Sequence, residues 1–295
     1  MIHTSVLLQE AIEGLALTDG DLVVDGTLGS GGHTQAILAS GKDLTVIGMD
    51  LDTAAIARSK ERLGDDKRVT LVCASYATLP SVLTGLNIKH VTKVLFDFGF
   101  SSDQIETSGR GFSFLRNEPL LMTFKEVLGP DDLTAREIVN SWDEESIRGV
   151  LRGYGEERHA GRIAKAILKE RAKKPIETTF ELVEIIKAST PKDYSAKKIH
   201  PATRSFQALR IAVNDELETI AEGIDGAFRS MQKGGRIAAI SFHSHEDRIV
   251  KQMFKAWTQT KFATMITKKP VMANEEEIKI NPRSRSAKLR IIEKN

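Results

Sequence analysis

One stretch constrains this chain more than any other: Val24-Asp25-Gly26-Thr27-Leu28-Gly29-Ser30-Gly31-Gly32-His33 places small residues between an apolar strand signal and room for a helix. A glycine-rich turn at a strand end lets the backbone approach a ligand closely, and turns of this kind hold nucleotide-like cofactors. A dinucleotide loop needs Gly-x-Gly-x-x-Gly, but reading from Gly29 puts Thr34 at the third glycine. A Walker phosphate loop needs lysine where His33 stands, so both patterns fail. A second β-rich run, Thr45-Val46-Ile47-Gly48-Met49, ends at Asp50, 19 residues beyond Gly31. A carboxylate at that strand tip can accept both ribose hydroxyls of an adenosine. Together the loop and Asp50 favour a nucleoside cofactor over a merely structural turn.

Further apolar runs at 69–73 and 91–96, with a helical connection over 74–86, make the first hundred residues read βαβαβαβ. That alternation implies a parallel sheet covered on both faces. From about Gly111 the pattern turns to helices without strands, with apolar residues at helical spacing over 133–142, 144–152, 156–173 and 180–188. Thr134 to Glu137 and Thr178 to Glu181 both carry the Thr-x-x-Glu spacing of a capping box, in which the two residues satisfy each other's free amides. Strand signal returns only at Arg236-Ile237-Ala238-Ala239-Ile240-Ser241, after Gly234-Gly235, and again near 289–292. The expected organisation is an α/β domain over 1–110 and 206–295, interrupted by an all-helical domain over 111–205.

Composition narrows the setting. The chain has 295 residues, 41% hydrophobic and 28% charged, which is ordinary for a globular protein. Cys73 is the only cysteine, which rules out internal disulfides and polythiolate metal sites and fits a reducing, cytoplasmic compartment. Residues 1–17 have no basic leader region, and no apolar run approaches the roughly 18 residues that suggest a membrane span. His33, His200 and His243 do not stand at ligand spacing, and no metal is expected. Net charge is only +2, so a polyanionic partner must be met by local clustering. Arg283, Arg285, Lys288 and Arg290, with Lys197, Lys198, His200 and Arg204, supply such clusters and are candidate phosphate contacts. Phe112 and Phe114, beside Arg110, read as core packing.

Asp25 followed by Gly29 and Gly31 resembles the first motif of S-adenosylmethionine methyltransferases. More specific segments resemble one family among these, the bacterial small-subunit (16S) ribosomal RNA cytosine-N4 methyltransferases, called RsmH or MraW. They are His3-Thr4-Ser5-Val6-Leu7-Leu8, Asp25 to His33, Phe96-Asp97-Phe98-Gly99-Phe100-Ser101-Ser102-Asp103-Gln104, Arg110-Gly111-Phe112-Ser113-Phe114, His200-Pro201-Ala202-Thr203-Arg204-Ser205-Phe206-Gln207-Ala208-Leu209-Arg210, Ile240-Ser241-Phe242-His243-Ser244 and Asn281 to Arg290. The resemblance spans nearly the whole chain. It implies a Rossmann-like class I methyltransferase sheet with an inserted all-helical, substrate-recognising domain, and S-adenosyl-L-methionine as cofactor. By the same resemblance Gly31, Gly32 and His33 wrap the cofactor, Asp50 holds its ribose, and Tyr76 stands where the family has a phenylalanine beside the adenine. Asp97 and Gln104 then lie near its methionine end.

The implied substrate is a cytosine whose exocyclic nitrogen has its lone pair delocalised into the ring, so the enzyme must accept hydrogen bonds from that amino group. Asp97 is the candidate acceptor, although Asp97-Phe98-Gly99-Phe100 does not match the Asp/Asn-Pro-Pro-Tyr/Phe of many amino-methyltransferases. A base in folded RNA must also be turned out of its stack. The implied partner is small-subunit ribosomal RNA or the ribosomal subunit, met at His200, Arg204, Arg283, Arg285 and Lys288; whether two copies form a homodimer stays open. Two departures stand out: Pro119-Leu120-Leu121-Met122-Thr123-Phe124 replaces the family's Pro-Leu-Asp-Met-Arg-Met, and His245 replaces a leucine. A methyltransferase for a small molecule or protein, or a non-catalytic RNA-binding relative, are the competing readings.

Overall fold

The computed structural model describes residues 5–99, 108–125, 127–130, 132–191, 194 and 200–295. Contacts divide the chain into two compact units, Met1–Gly99 with Leu217–Asn295, and Phe100–Glu216.

The first unit is built on a seven-stranded sheet in the order β3-β2-β1-β4-β5-β7-β6. Its strands are β1 Leu22–Asp25, β2 Thr45–Asp50, β3 Val69–Cys73, β4 Val91–Asp97, β5 Met231–Ser241, β6 Ala263–Met265 and β7 Lys288–Lys294. The first five run parallel, and β7 is antiparallel to both β5 and β6. Neighbouring residues of a strand point to opposite faces. Val24, Val94, Phe96, Ile237 and Ala239 accordingly enter one core, and Val23, Leu95, Ala238 and Ile240 the other. Burial on both faces explains why these strands read as unbroken apolar runs.

Helices close each face. On the first, α4 (Leu79–Gly85) brings Leu79 and Leu83. On the second, α1 (Leu8–Leu15) and α2 (Gly32–Leu38) bring Ala11, Leu15, Ile37 and Leu38. The connection after β2 is α3 (Thr53–Leu63), capped by Asp52, whose side chain accepts from the Ala54 amide.

Strand β5 begins at Met231, before the expected Arg236, because its pairing with β4 slips between Val91 and Lys93, where Gly234 takes φ 77°. Strand β6 was missed by the sequence reading; three residues are too few for a period-two pattern to show.

The second unit contains α5 (Ala135–Ser141), α6 (Glu144–Gly153), α7 (Ala160–Arg171), α8 (Thr179–Ser189) and α9 (Thr203–Asn214). Ile138, Ile147, Leu151, Ile163, Ile167, Leu182 and Ile186 share its core. The expected boundaries of 111 and 205 need correction. Phe206, Ala208 and Leu209 of α9 pack into the helical core, so the segment after 205 belongs there up to Glu216. Thr178 caps α8 with a complete box, its side chain accepting from the Glu181 amide and the Glu181 side chain accepting in return. At α5 only half the expected box forms: Thr134 accepts from the Glu137 amide at 3.1 Å, and no reciprocal bond is made. Helix α7 starts at Ala160, not 156, because Glu156 takes φ 50° and Glu157 turns inward to accept from the His159 amide and the Tyr194 hydroxyl, each at 2.8 Å.

The chain is back in the first unit from Leu217, the second residue of α10 (Glu216–Ser230), and continues as β5, α11 (Ser244–Gln259), β6, α12 (Glu275–Ile280) and β7. Ile220, Ile224 and Phe228 of α10 and Val250 and Phe254 of α11 complete the first core. Among the described residues, no helix is long and apolar enough to cross a membrane.

Candidate active site

In an open parallel sheet, ligands sit beyond the carboxyl ends of the strands, where the strand order reverses. Here that point lies between β1 and β4, since the chain winds outward from β1 through β2 to β3 and then returns beside β1 as β4. Asp25, Asp50 and Asp97 are the last residues of β1, β2 and β4, so the topology delivers three carboxylates to one crevice.

The glycine loop spans them. Gly29 and Gly31 take φ of 55° and 76°, a region that side chains with a Cβ rarely adopt, and Gly31 caps α2. The Gly29 amide donates to Asp50 Oδ2 at 2.8 Å and the Asp52 amide to Asp50 Oδ1 at 2.9 Å, which fixes the loop to the tip of β2. Each carboxylate oxygen keeps a further lone pair for a ligand hydroxyl. Burial raises the Asp50 carboxyl above its ordinary range, against the two amide hydrogen bonds. Asp25 is buried and accepts from Thr34 Oγ1 at 2.7 Å and the Thr27 amide at 3.3 Å. Desolvation nevertheless pushes its carboxyl up to about 6.

Asp97 is the most perturbed of the three. Its backbone amide donates to Thr27 Oγ1 at 2.6 Å, which ties β4 to the glycine loop. Oδ1 is buried and has no hydrogen-bond partner among the described residues, while Oδ2 lies 3.7 Å from His33 Nδ1. Burial, and then the charges of Asp25 and Glu246, hold this carboxyl well above the usual carboxylate range. A buried acceptor left unpaired costs about 1–3 kcal/mol, so an orphan in a ligand crevice marks a place where a donor is expected to arrive.

Tyr76 opens a short 3-10 turn after β3. Its ring meets Phe96 at 5.5 Å and Phe98 at 5.7 Å, and those two stack at 5.2 Å, forming an aromatic floor. A Cβ on Gly26 would fall 2.5 Å from the Phe96 ring and 3.3 Å from Tyr76 Cβ, so only glycine lets the loop close over this floor.

The structure thus brings Gly31, Gly32, His33, Asp50, Tyr76 and Asp97 together; Gln104 lies outside the described residues. Sequence reasoning missed Thr27, Val6 and Glu246. The first two lie inside quoted segments whose spacing carries no sign of what they touch, and Glu246 meets Asp97 only through the fold.

The cationic residues behave unequally. Arg283 and Arg285 are exposed on a 3-10 turn. Lys288 and Arg290 instead hold Asp247, at 3.1 and 2.7 Å, and Arg290 is buried, so this pair is first of all an internal ion network. In the helical unit, His200 stacks on Phe114 at 4.5 Å and 5°, and desolvation lowers its pKa. Arg204 donates to the Glu156 carbonyl at 3.2 Å. The departure at 119–124 is structural in part. Leu120, Met122 and Thr123 are buried, Leu121 accepts from the Ala135 amide at the start of α5, and Arg110 and Asn214 satisfy the carbonyls of Phe124 and Met122.

A parallel sheet in this order, with an antiparallel β7 set between β5 and β6 and a carboxylate-lined glycine loop at its switch point, is the sheet of a class I methyltransferase. The sequence pattern of the MraW methylase family matches residues 1–295, and the chain belongs to that family. It is 48% identical to the ribosomal RNA small subunit methyltransferase H of Sulfurihydrogenibium sp., over 98% of both chains. It is 46% identical to the protein of the same name from Geotalea daltonii, over 99% of this chain and 98% of that one. Among solved structures it is similar to an rRNA methylase from Streptococcus thermophilus, at 14% identity and TM-score 0.46 over 100% of this chain and 98% of that one.

Proposed function

We propose that this protein transfers a methyl group from S-adenosyl-L-methionine to the exocyclic N4 of a cytosine in small-subunit (16S) ribosomal RNA, in the cytoplasm. The observation that carries this reading is the end-to-end match to relatives named for small-subunit ribosomal RNA methylation, 48% identical over 98% of the chain. The crevice supports it: a nucleoside fits a loop whose glycines leave room, an aromatic floor at Tyr76, and Asp50 with lone pairs to offer ribose hydroxyls. When bound, S-adenosyl-L-methionine supplies an electrophilic methyl carbon, whose bond to sulfur breaks with the electron pair left on sulfur.

The protein's own part is positioning, which supplies most of the rate in such displacements. Asp97 Oδ1, buried and unpartnered among the described residues, accepts from the cytosine amino group and localises its lone pair toward the methyl carbon. Gly31, Gly32 and His33 form the backbone wall of the cofactor site. In this reading the helical unit recognises the RNA, with His200 offering a largely neutral ring and Arg204 a charge. Arg283 and Arg285 contact phosphates, and Lys288 does so only as the outer member of its Asp247 network.

The test is to incubate the protein with methyl-labelled S-adenosyl-L-methionine and small ribosomal subunits from a strain lacking the modification, then digest the RNA and identify the labelled nucleosides. Label in N4-methylcytidine is expected. Label in another nucleoside, or none while the cofactor binds, would overturn the reading.

A further inference from the structure

His33 belongs to the glycine loop, yet its side chain does not face outward. It is 5% exposed and reaches back into the protein between two groups on the same unit. Nε2 lies 3.2 Å from the carbonyl oxygen of Val6. A carbonyl can only accept, so Nε2 must carry a hydrogen, and the neutral ring then has its lone pair on Nδ1. Nδ1 is the nitrogen that lies 3.7 Å from Asp97 Oδ2. That separation is too long for a hydrogen bond as it stands, and catalytic contacts of this kind commonly tighten when a site is filled.

The partner of Nε2 is itself held in place. Val6 is buried, the next residue takes the left-handed conformation at φ 50°, and its amide donates to Glu277 Oε1 at 2.8 Å. Ser5 packs so closely on Gly32 that a Cβ there would collide with its hydroxyl. The described part of the N-terminal segment, a motif with no assigned task, therefore braces the glycine loop and sets the tautomer of His33.

We propose that His33 is a positioning residue that acts through its side chain, holding Oδ2 of Asp97 so that Oδ1 is the oxygen presented to the reacting amino group. The proposal rests on the function given above. It assigns the two carboxyl oxygens different work. The groups facing Asp97 explain why a holder is needed: Asp25 from β1 and Glu246 from α11 both bear on it, and Asp50 on Asp25 in turn. Like charges in a buried site favour retention of a proton. With that proton on Oδ2, directed at His33 Nδ1, Oδ1 keeps its lone pairs for the substrate. As the amino nitrogen gains its methyl group it sheds one proton to Oδ1, while the Oδ2 proton passes to Nδ1. The pair thus ends one proton richer, as an imidazolium beside a neutral carboxyl, and releases the extra proton to solvent before the next turnover.

Two measurements on the full-length protein test this. The first uses 15N-labelled histidine and follows the His33 ring nitrogens with pH, in the protein alone and with S-adenosylhomocysteine. A protonated Nε2 is expected throughout, with an Nδ1 signal that moves as Asp97 titrates and that lies flat in Asp97→Asn. A flat Nδ1 in the natural protein, or a neutral ring protonated on Nδ1, would overturn the proposal. This readout needs no RNA, so it stands or falls separately from the assignment of substrate.

The second compares side chains that replace one nitrogen at a time. An asparagine amide overlays Nδ1, and a glutamine amide overlays Nε2. His33→Ala is expected to lower kcat about 10- to 100-fold, with KM for the cofactor within about threefold. His33→Asn should recover part of that loss and His33→Gln should not. If glutamine restores turnover and asparagine does not, His33 serves only to anchor the loop to Val6, and the proposal fails.

Discussion

Carboxylates at the strand ends of the α/β unit and carboxylates of the helical unit are treated in opposite ways. Asp25, Asp50 and Asp97 are gathered where they are desolvated and face other carboxylates, and all three are pushed upward. In the helical unit, Asp132, Glu170 and Glu181 lie beside Lys125, Lys173 and Lys174, Asp143 accepts from Ser146, and all four are held low. Two buried acids described there are matched as well. Glu157 takes two donors, and Glu216 pairs bidentately with Arg210 at 2.6 and 2.8 Å. The helical unit is arranged for stability, whereas the strand ends give up stability to hold acids poised for chemistry.

The sharpest way to probe that contrast is Asp97→Asn. Asparagine can still accept a hydrogen bond but cannot take up and pass on a proton, so methyl transfer at saturating cofactor should fall by at least about 100-fold, as expected for the loss of a positioned acid–base group. The same change removes a carboxyl that is costly to bury, so the melting temperature at neutral pH should hold or rise. Full turnover in Asp97→Asn would refute the role given to this residue, and a large fall in stability would erase the contrast.

Ile163→Ala probes the other side. Ile163 is fully buried in the helical core, and truncation there should cost about 3 kcal/mol in transfer and cavity terms. Denaturant unfolding should show the loss, while S-adenosylhomocysteine affinity at low temperature stays within about twofold. Affinity falling in step with stability would mean that the cofactor crevice depends on the helical core.

Asp25→Asn should act with the opposite sign. Because the folded carboxyl is raised from 3.8 to about 6, the protonated form favours the folded state. Below pH 3.8 both states hold the proton and nothing is lost; between 3.8 and about 6 the unfolded chain ionises first and stability falls, and above that the penalty is constant. A shift of that size corresponds to at most roughly 3 kcal/mol. Asparagine keeps an acceptor for Thr34, so the variant should gain up to that amount at pH 7.5, gain nothing at pH 3.5, and lose the slope between. Denaturation curves at four pH values decide it.

Much of this was legible in the sequence. Apolar runs marked every parallel strand: in β1, β2 and β4 they follow from burial within the sheet, whereas edge strand β3, with Thr70 and Cys73 exposed, was marked by its Val69, Leu71 and Val72 alone. The glycine loop and Asp50 marked the crevice because few other residues tolerate such a turn. The partners of those residues were not legible. Nothing in the spacing says that Val6 receives His33, that Thr27 holds the Asp97 amide, or that Lys288 and Arg290 close on Asp247, since these contacts join segments far apart in the chain. The capping boxes show the same limit on a small scale: identical spacing at Thr134 and Thr178 produced one half box and one whole.

That last difference yields the smallest expected effect. Thr178→Ala removes the acceptor for the Glu181 amide, and loss of a threonine cap typically costs about 1 kcal/mol. Glu181 itself would still accept from the amides of residues 177 and 178, at 2.8 and 3.1 Å, so half of the box survives. Thr134→Ala removes the only side-chain bond of its cap, at 3.1 Å against 3.4 Å for Thr178, and leaves no reciprocal bond behind. The two substitutions should therefore cost similar amounts, with Thr134→Ala the larger by a few tenths of a kcal/mol, as read from paired urea titrations. Thr178→Ala costing clearly more would show that the two halves of a box reinforce each other beyond their separate bonds.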